Sequence, residues 1–430
     1  MLIYNWVIKM KDKYLPRLID KQLAEILNSM GAVYIRGPKW CGKSTTSLQT
    51  AKTVINFQDA DRGQSFVDLV DTNIMGLLNQ ETPILFDEWQ IVPKIWNAVR
   101  TEVDKRNKVG QFILTGSTVF EFDKTMHSGA GRIARIDMKP MSLFESGDSN
   151  GKISLNEVIK GNWNYDGVMS ELTKTRLSEV LCRGGWPSAI TNKHINPQVI
   201  AKQYIKATVE TDVSEIDNVR RNPLLARYIL ESYSRNISTL STNKTIHEDV
   251  MSKIDVSDRT IINYLEVFEK LYIIDEIPAW NPNIRSKTSI RTSPKKNLID
   301  PSIAAAVLNV SPKELELDSN TFGLFFESLV TRDISVYTES ENASMSYYRD
   351  RNGLECDLVV HYPNGEFALI EIKLGEKGIE EGAGHLLEIQ KLLTKHKQRT
   401  PKALIVVTGT QVAMKRKDGV YVVPIGCLKH

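Results

Sequence analysis

Cysteines and long apolar runs are scarce in this sequence, and their scarcity excludes several classes of protein. Four cysteines stand far apart among 430 residues, without a C-x-x-C pair. Such spacing is typical of neither a disulfide framework nor a zinc site, and it indicates a reducing, cytoplasmic environment. No apolar run approaches the ~20 residues that a helix needs to cross a membrane, so we expect no membrane partner.

Metal-ligand spacing is also missing among the seven histidines, and charge of neither sign dominates. The net charge of +3 permits a nucleic-acid partner without requiring one. With 41% hydrophobic and 25% charged residues, the composition is that of a globular protein and excludes a disordered chain.

A phosphate-binding pattern is what the sequence does contain. Residues 33–45 read V-Y-I-R-G-P-K-W-C-G-K-S-T, an apolar run followed by G-x-x-x-x-G-K-S. The glycines let backbone N–H groups face inward as an anion nest, the lysine reaches the phosphates, and the serine hydroxyl ligates Mg²⁺. We therefore predict that the phosphates of a nucleotide bind Gly37, Pro38, Lys39, Cys41, Gly42, Lys43, Ser44 and Thr45.

Within this loop, Lys43 is also predicted to be catalytic and Ser44 to be a metal ligand. Cys41 is either tolerated there or makes the loop sensitive to oxidation. The alternative to a phosphate loop is an ordinary glycine-rich turn.

Two adjacent acids end a second apolar segment, P-I-L-F-D-E. Asp87 is placed to hold the water shell of the metal, and Glu88 to polarise the attacking water as a general base. The alternative is that both acids only cap the strand.

Residues further along complete the predicted ATPase site. Thr115 or Ser117, at the end of a neighbouring strand in L-T-G-S, can sense the γ-phosphate, and Ser117 is the candidate nucleotide ligand. Arg132 and Arg135, in G-R-I-A-R-I, can contact the nucleotide in cis or act as an arginine finger on a neighbouring subunit. Arg132 is the nucleotide-binding candidate. Both arginines can equally be surface salt-bridge residues, so a homo-oligomer stays open.

Apolar runs alternate with helical stretches between residues 30 and 140, which predicts an α/β fold with a parallel sheet. A stretch rich in Gly, Asn and Ser, residues 147–167, indicates an insertion or linker. We predict a P-loop ATPase domain at 1–145, a linker and helical insertion at 146–200, a helical/winged-helix domain at 201–290 and a further α/β domain at 298–430.

Several linked motifs carry a family resemblance that spans nearly the whole chain. They are the phosphate loop, L-F-D-E-W, L-T-G-S, R-I-A-R-I-D-M-K-P-M-S-L-F-E, G-G-W-P-S-A-I and Y-L-E-V-F-E-K-L-Y-I-I-D-E-I-P-A-W. Together they resemble a largely uncharacterised AAA-type ATPase family of bacteria and archaea. The resemblance implies a RecA/AAA-like core that binds ATP, followed by a winged-helix segment and a C-terminal domain of unknown function.

The C-terminal region shows a second constellation. Glu327 lies on a predicted helix, Asp357 on a strand, and Glu371 and Lys373 on one face of the next strand. A hairpin would bring Asp357 beside Glu371, so the carboxylates of Glu327, Asp357 and Glu371 are candidate Mg²⁺ ligands. Glu371 and Lys373 are the candidate catalytic residues.

This set, in the order αβββαβ, resembles the PD-(D/E)xK nuclease signature and implies a restriction-endonuclease-like fold. The proline that usually precedes the aspartate is absent, because Glu355 and Cys356 stand there. The alternative is a nuclease-like fold kept as a scaffold or DNA-binding platform.

Two other segments are candidates for nucleic-acid contact. Thr260, Asn263 and Tyr264 on the second helix of the winged-helix region can face a groove. The basic stretch 284–296 has five cations, which either track phosphates or belong to a solvated loop: Arg285, Lys287, Arg291, Lys295 and Lys296.

The resulting hypothesis is a cytoplasmic, Mg²⁺-dependent ATPase that acts on nucleic acid, with DNA favoured over RNA. The alternative is an ATP-driven regulatory switch or interaction module with an inactive nuclease fold.

Overall fold

The computed structural model describes residues 14–119, 128–192, 196–217, 219–283 and 292–430. The chain forms two compact units. The first comprises the residues up to Lys139 together with Lys270–Tyr272, and the second comprises Pro140–Glu269 and Ile273–His430. No helix among the described residues is long and apolar enough to cross a membrane.

A five-stranded parallel sheet forms the centre of the first unit. Its strands are β1 (Ala32–Arg36), β2 (Thr53–Asn56), β3 (Ile84–Asp87), β4 (Phe112–Gly116) and β5 (Ile133–Asp137), in the order β2-β3-β4-β1-β5. The helices of this unit are α1 (Ile19–Leu27), α2 (Lys43–Leu48), α3 (Gly63–Leu78) and α4 (Lys94–Arg106). The α/β class with a parallel sheet, predicted for residues 30–140, is confirmed.

Both faces of this sheet are buried. In β1, Ala32 and Tyr34 pack into one apolar cluster, and Val33 and Ile35 into another on the opposite face. A strand covered on both sides reads as a continuous apolar run, which is why the sequence identified it. Polar side chains therefore gather where the strands end.

Helices dominate the N-terminal half of the second unit. They are α5 (Leu155–Ile159), α6 (Lys174–Arg183), α7 (Pro187–Thr191), α8 (Pro197–Ala207), α9 (Val213–Glu215), α10 (Pro223–Arg235), α11 (Asn243–Met251) and α12 (Asp258–Lys270), then α13 (Pro301–Val307) and α14 (Pro312–Leu317). A π-helical turn, Thr208–Asp212, connects α8 to α9. Residues Ile274 and Ile277, which follow α12, form antiparallel bridges with Leu298 and Lys295. The winged-helix identity of this region stays a prediction.

The stretch 147–167, whose composition indicated an insertion or linker, contains regular secondary structure. It contains α5 and a short strand, β6 (Ile153–Ser154), which pairs in parallel with β14 (Leu428–Lys429) near the C-terminus. Ile153, Leu155 and Val158 are buried, so their packing fixes the segment although its surface composition is loop-like.

A seven-stranded sheet forms the C-terminal part of the second unit. Its strands are β7 (Ala279–Trp280), β8 (Ser344–Arg349), β9 (Glu355–His361), β10 (Phe367–Lys373), β11 (Ala403–Thr408), β12 (Met414–Lys415) and β13 (Tyr421–Pro424). Strands β8 to β10 pair antiparallel, and β10, β11 and β13 pair in parallel.

Helix α15 (Ser319–Glu339) precedes β8, and α16 (Ile379–Lys395) lies between β10 and β11. The predicted element order αβββαβ is therefore observed. The amphipathic pattern of α16 is regular only from His385 onward, but the helix begins at Ile379, because Gly382 and Gly384 interrupt the apolar pattern without ending the helix. A nuclease-like identity for this sheet stays a prediction.

Candidate functional site

The phosphate-loop residues lie between β1 and α2, at the carboxyl edge of the first-unit sheet. Gly37 and Gly42 have positive φ angles of 151° and 105°, a region that glycine adopts without strain. A Cβ on Gly37 would lie 2.0 Å from the carbonyl oxygen of Met138, so no other residue fits there without moving the backbone. Lys43 lies inside the curve of the loop, where its ammonium donates to the carbonyls of Gly37 (2.9 Å) and Pro38 (2.7 Å).

The two predicted acids stand opposite this loop. Asp87 ends β3, and its Oδ1 accepts a hydrogen bond from Ser44 Oγ at 2.7 Å. Burial raises the pKa of Asp87 above its ordinary value, and the hydrogen bonds from Thr115 and Ser44 oppose that shift. Glu88 follows in a left-handed backbone conformation, with φ 54°. Such a conformation in a non-glycine residue costs on the order of 1 kcal/mol and is found at functional sites.

Strand β4 lies between β1 and β3, and its polar end contacts both acids. Thr115 Oγ1 donates to Asp87 and accepts from the backbone N–H of Glu88 at 3.3 Å. Ser117 Oγ donates to Glu88 Oε2 at 3.1 Å. Either residue was a candidate from sequence, and the structure brings Ser117 to the predicted base and Thr115 to the predicted metal carboxylate.

Sequence reasoning missed two residues that support this arrangement. Gln90 donates its side-chain amide to Glu88 Oε2. Arg17, which is buried, donates to the carbonyls of Cys41 (2.8 Å) and Lys139 (2.7 Å), and so ties the phosphate loop to the segment after β5. Gln90 could have been found from its position two residues after Glu88. No sequence feature near Arg17 indicates that this residue contacts the phosphate loop.

Cys41 is fully buried in the apolar cluster beneath the loop, and its Sγ faces the carbonyl oxygen of Met138 at 3.5 Å. Its placement favours toleration over sensitivity to oxidation, because a buried thiol is inert. We expect a thiol reagent to leave Cys41 unmodified in the folded protein and to modify it after denaturation. Mass spectrometry of the peptide that contains Cys41 measures this, and rapid modification under native conditions would contradict it.

Arg132 does not join this site. It immediately precedes β5, at the amino edge of the sheet, and its Nε donates to Asp104 Oδ1 at 2.8 Å. Because strands rise about 3.3 Å per residue, this end of β5 lies ~13 Å from the end beside the phosphate loop. The predicted nucleotide contact by Arg132 within its own chain is therefore wrong, and an arginine finger toward another subunit stays a prediction.

The carboxylates predicted in the second unit lie together, but a lysine lies between two of them. Lys295 Nζ is 2.7 Å from Glu327 Oε1 and 3.1 Å from Asp357 Oδ1. Asp357 Oδ2 accepts from the backbone N–H of Ile372 at 2.9 Å, which holds it beside β10. Burial and the charge of Asp357 raise the pKa of Glu327 to about 7, although the ammonium of Lys295 opposes the shift.

Glu371 and Lys373 form the other half of this cluster. Glu371 is 1% exposed, and its Oε2 lies 3.1 Å from Lys373 Nζ. Its Oε1 faces His385 Nδ1 at 3.5 Å, and neither atom has a hydrogen-bond partner in the described part of the chain. Burial, and then the charge of Asp357, raise the pKa of Glu371 to about 9. Among the described residues, no three His, Cys, Asp or Glu side chains are arranged to hold a metal ion.

Both segments that were candidates for nucleic-acid contact contain buried side chains. Lys295 and Lys296 of the basic stretch are buried and bonded to carboxylates, Lys296 to Glu276 at 2.6 Å, so neither can track phosphates. The other three cations of that stretch, within 284–291, lie outside the described residues. Tyr264 is also buried, where its hydroxyl accepts from the N–H of Asn222 at 2.8 Å, whereas Asn263 is exposed.

Comparison with known families agrees with the first site. Residues 29–146 match the family model described as an AAA domain. This chain carries an AAA-type ATPase domain. That assignment supports ATP binding and ATPase function. Residues 174–314 and 322–428 match two further models, each described as a domain of unknown function, DUF8612 and DUF4143.

Solved structures give only weak likenesses. A Walker-type ATPase of Pyrococcus abyssi is 13% identical, with 69% of this chain and 96% of that chain covered and a TM-score of 0.42. A signal-transduction ATPase with a tetratricopeptide-repeat sensor from Pyrococcus horikoshii is also 13% identical, with 77% and 51% covered and a TM-score of 0.25. At these scores neither likeness carries an argument. No curated protein matches the chain.

Proposed function

We propose that this chain binds ATP together with Mg²⁺ and hydrolyses it at the carboxyl edge of the first-unit sheet. One observation carries the proposal: Ser44 Oγ and Asp87 Oδ1 lie 2.7 Å apart, with Lys43 inside the loop curve and Glu88 adjacent. The start of α2 thus supplies the phosphate-binding ammonium and a metal-binding hydroxyl, and the end of β3 supplies the two acids that phosphoryl transfer to water uses.

The donor set fits this ligand pair. Lys43 neutralises phosphate charge once its ammonium exchanges the carbonyls of Gly37 and Pro38 for phosphate oxygens. A hydroxyl facing a buried carboxylate provides the hard oxygen groups that Mg²⁺ prefers, Ser44 directly and Asp87 through water. When bound, Mg²⁺ would neutralise charge on the β- and γ-phosphates.

Glu88 is the proposed general base, because its carboxylate lies beside Asp87 and is fixed at one oxygen. Ser117 and Gln90 both donate to Oε2, which leaves Oε1 to accept a proton from water. Ser117 is then a positioning residue for this base, as well as the proposed γ-phosphate sensor.

Replacing Ser44 by alanine is expected to weaken Mg²⁺ dependence. The loss of one oxygen ligand should raise the Mg²⁺ concentration for half-maximal ATP hydrolysis by about tenfold to a hundredfold, the value of one bond to a charged group. Steady-state hydrolysis measured over a Mg²⁺ series tests this. Ser65→Ala, at an exposed serine of α3, is the matched control. An unchanged Mg²⁺ requirement in Ser44→Ala would contradict the proposed role of Ser44 as a metal ligand.

For the second unit, the regulatory alternative has a specific observation in its favour. The ammonium of Lys295 bridges Glu327 and Asp357, where the metal-dependent nuclease hypothesis requires a divalent cation. We therefore propose that the C-terminal domain is an ATP-responsive interaction module with an inactive nuclease fold. Nucleic acid, DNA before RNA, is its proposed partner.

A further inference from the structure

A cavity in the second unit is used by neither proposed site. Its volume is about 450 Å³, within the range of small-molecule sites. It lies among α8, the π-helical turn, α10 and α13, which pack against one another. Its apolar lining comes from five aliphatic side chains: Ile205, Val209, Leu230, Ala306 and Val307.

Basic side chains outnumber acidic ones in the lining of this cavity. Lys202, Lys206 and Arg227 line it and are exposed, whereas Glu210 is the single acid among the described residues of the lining. Lys202 Nζ donates to Asn309 Oδ1 at 2.7 Å. Within the ranges that the structure describes, none of the three cations forms a salt bridge with a carboxylate.

This charge arrangement is unfavourable for the helix itself. Lys202 and Lys206 are four residues apart on α8, so they share a face and repel each other by a few tenths of a kcal/mol. The helix then continues into the π-helical turn Thr208–Asp212, and single π-turns occur frequently at functional sites. An anion held between these cations would remove the repulsion.

The lining also restricts the body of the ligand. Among the described residues, no aromatic side chain lines the cavity, so a nucleobase would find no ring on which to stack. The aliphatic residues instead favour a hydrocarbon chain, whose burial is worth about 0.8 kcal/mol per methylene.

We propose that this cavity binds an aliphatic anion, with a hydrocarbon body over Leu230 and Val209 and a carboxylate or phosphate head between Lys206 and Arg227. The planar guanidinium of Arg227 can bind either head group with two parallel hydrogen bonds. The site is separate from the proposed ATPase residues and does not depend on their assignment.

Calorimetric titration of the full chain tests the proposal with decanoate, decyl phosphate and neutral decanol, all below their micelle concentrations. We expect one equivalent of at least one anion to bind, at least tenfold more tightly than decanol. The stronger anion identifies the head group. The double variant Lys206→Gln/Arg227→Gln should weaken that anion by about tenfold or more, whereas Lys313→Gln, at an exposed lysine outside the cavity, should not.

A competition experiment with lipid vesicles distinguishes a free ligand from a membrane lipid. Vesicles of phosphatidylglycerol should compete only if they deliver the same anionic chain to the cavity, and the double variant should then abolish that competition. The proposal is overturned by equal affinity for decanol, by binding that survives the double variant, or by binding to vesicles alone. Thermal unfolding of the double variant verifies that it is folded.

Discussion

Replacing Glu88 by glutamine is expected to lower the rate of ATP hydrolysis by about a hundredfold to ten-thousandfold, the usual contribution of a positioned general base. Glutamine keeps the shape of the side chain and can still pair with Ser117 and Gln90. It cannot accept a proton from water. The loss should therefore appear in kcat, with little change in the affinity for ATP. Single-turnover hydrolysis under excess enzyme measures the chemical step apart from product release.

Two controls make the Glu88 result specific. Glu81→Gln, at an exposed acid that pairs with Lys52, should hydrolyse ATP at the wild-type rate. The Tm of Glu88→Gln should stay within a few degrees of wild type, because no buried contact is lost. If Glu88→Gln kept more than about a tenth of the wild-type rate, another group would have to be the base.

Replacing Lys295 by methionine is expected to reduce the free energy of unfolding by about 3–5 kcal/mol, because Glu327 and Asp357 would remain buried without a positive partner. The same variant should become sensitive to divalent cations. Mn²⁺ or Mg²⁺ can take the position of the ammonium between the two carboxylates, since both ions bind oxygen ligands. We therefore expect millimolar Mn²⁺ to restore part of the lost stability, measured by denaturant unfolding.

Wild-type protein should show no comparable stabilisation by Mn²⁺ through this cluster, and no cleavage of single-stranded, duplex or branched DNA beyond that of Glu371→Ala. Lys391→Met, at an exposed lysine of α16, is the matched control for the loss of one charge. DNA cleavage by wild type that Glu371→Ala abolishes would contradict an inactive fold. So would equal Mn²⁺ stabilisation of wild type and Lys295→Met.

Much of the fold could be predicted from the sequence because several strands of the two larger sheets are continuous buried runs. The segments 32–35, 84–86 and 403–407 are apolar over their whole length, and a polar or charged residue follows each of them. The register of β9 and β10 places Ile370 opposite Leu358, so the predicted pairing of Asp357 with Glu371 follows from a simple hairpin.

The roles of residues whose partners lie far away in the sequence could not be predicted from the sequence. Lys295 belongs to a run of cations that looks like a solvated loop, yet its partners Glu327 and Asp357 lie 32 and 62 positions away. Arg132 precedes a strand, and only the direction of that strand puts it at the amino edge of the sheet. Arg17 binds one carbonyl oxygen of the phosphate loop, that of Cys41, and a carbonyl has no signature in sequence.

The proposed ATPase site depends most on the phosphate loop between Gly37 and Thr45, so ATP binding is its most direct test. Calorimetric titration of Mg²⁺ and ATP into folded wild-type and Glu88→Gln protein should show one equivalent bound in both, with similar affinity. Lys43→Ala, which removes the ammonium proposed to bind the phosphates, should lose most of that heat. Absence of ATP uptake by correctly folded wild-type protein, or undiminished uptake by Lys43→Ala, would contradict the account.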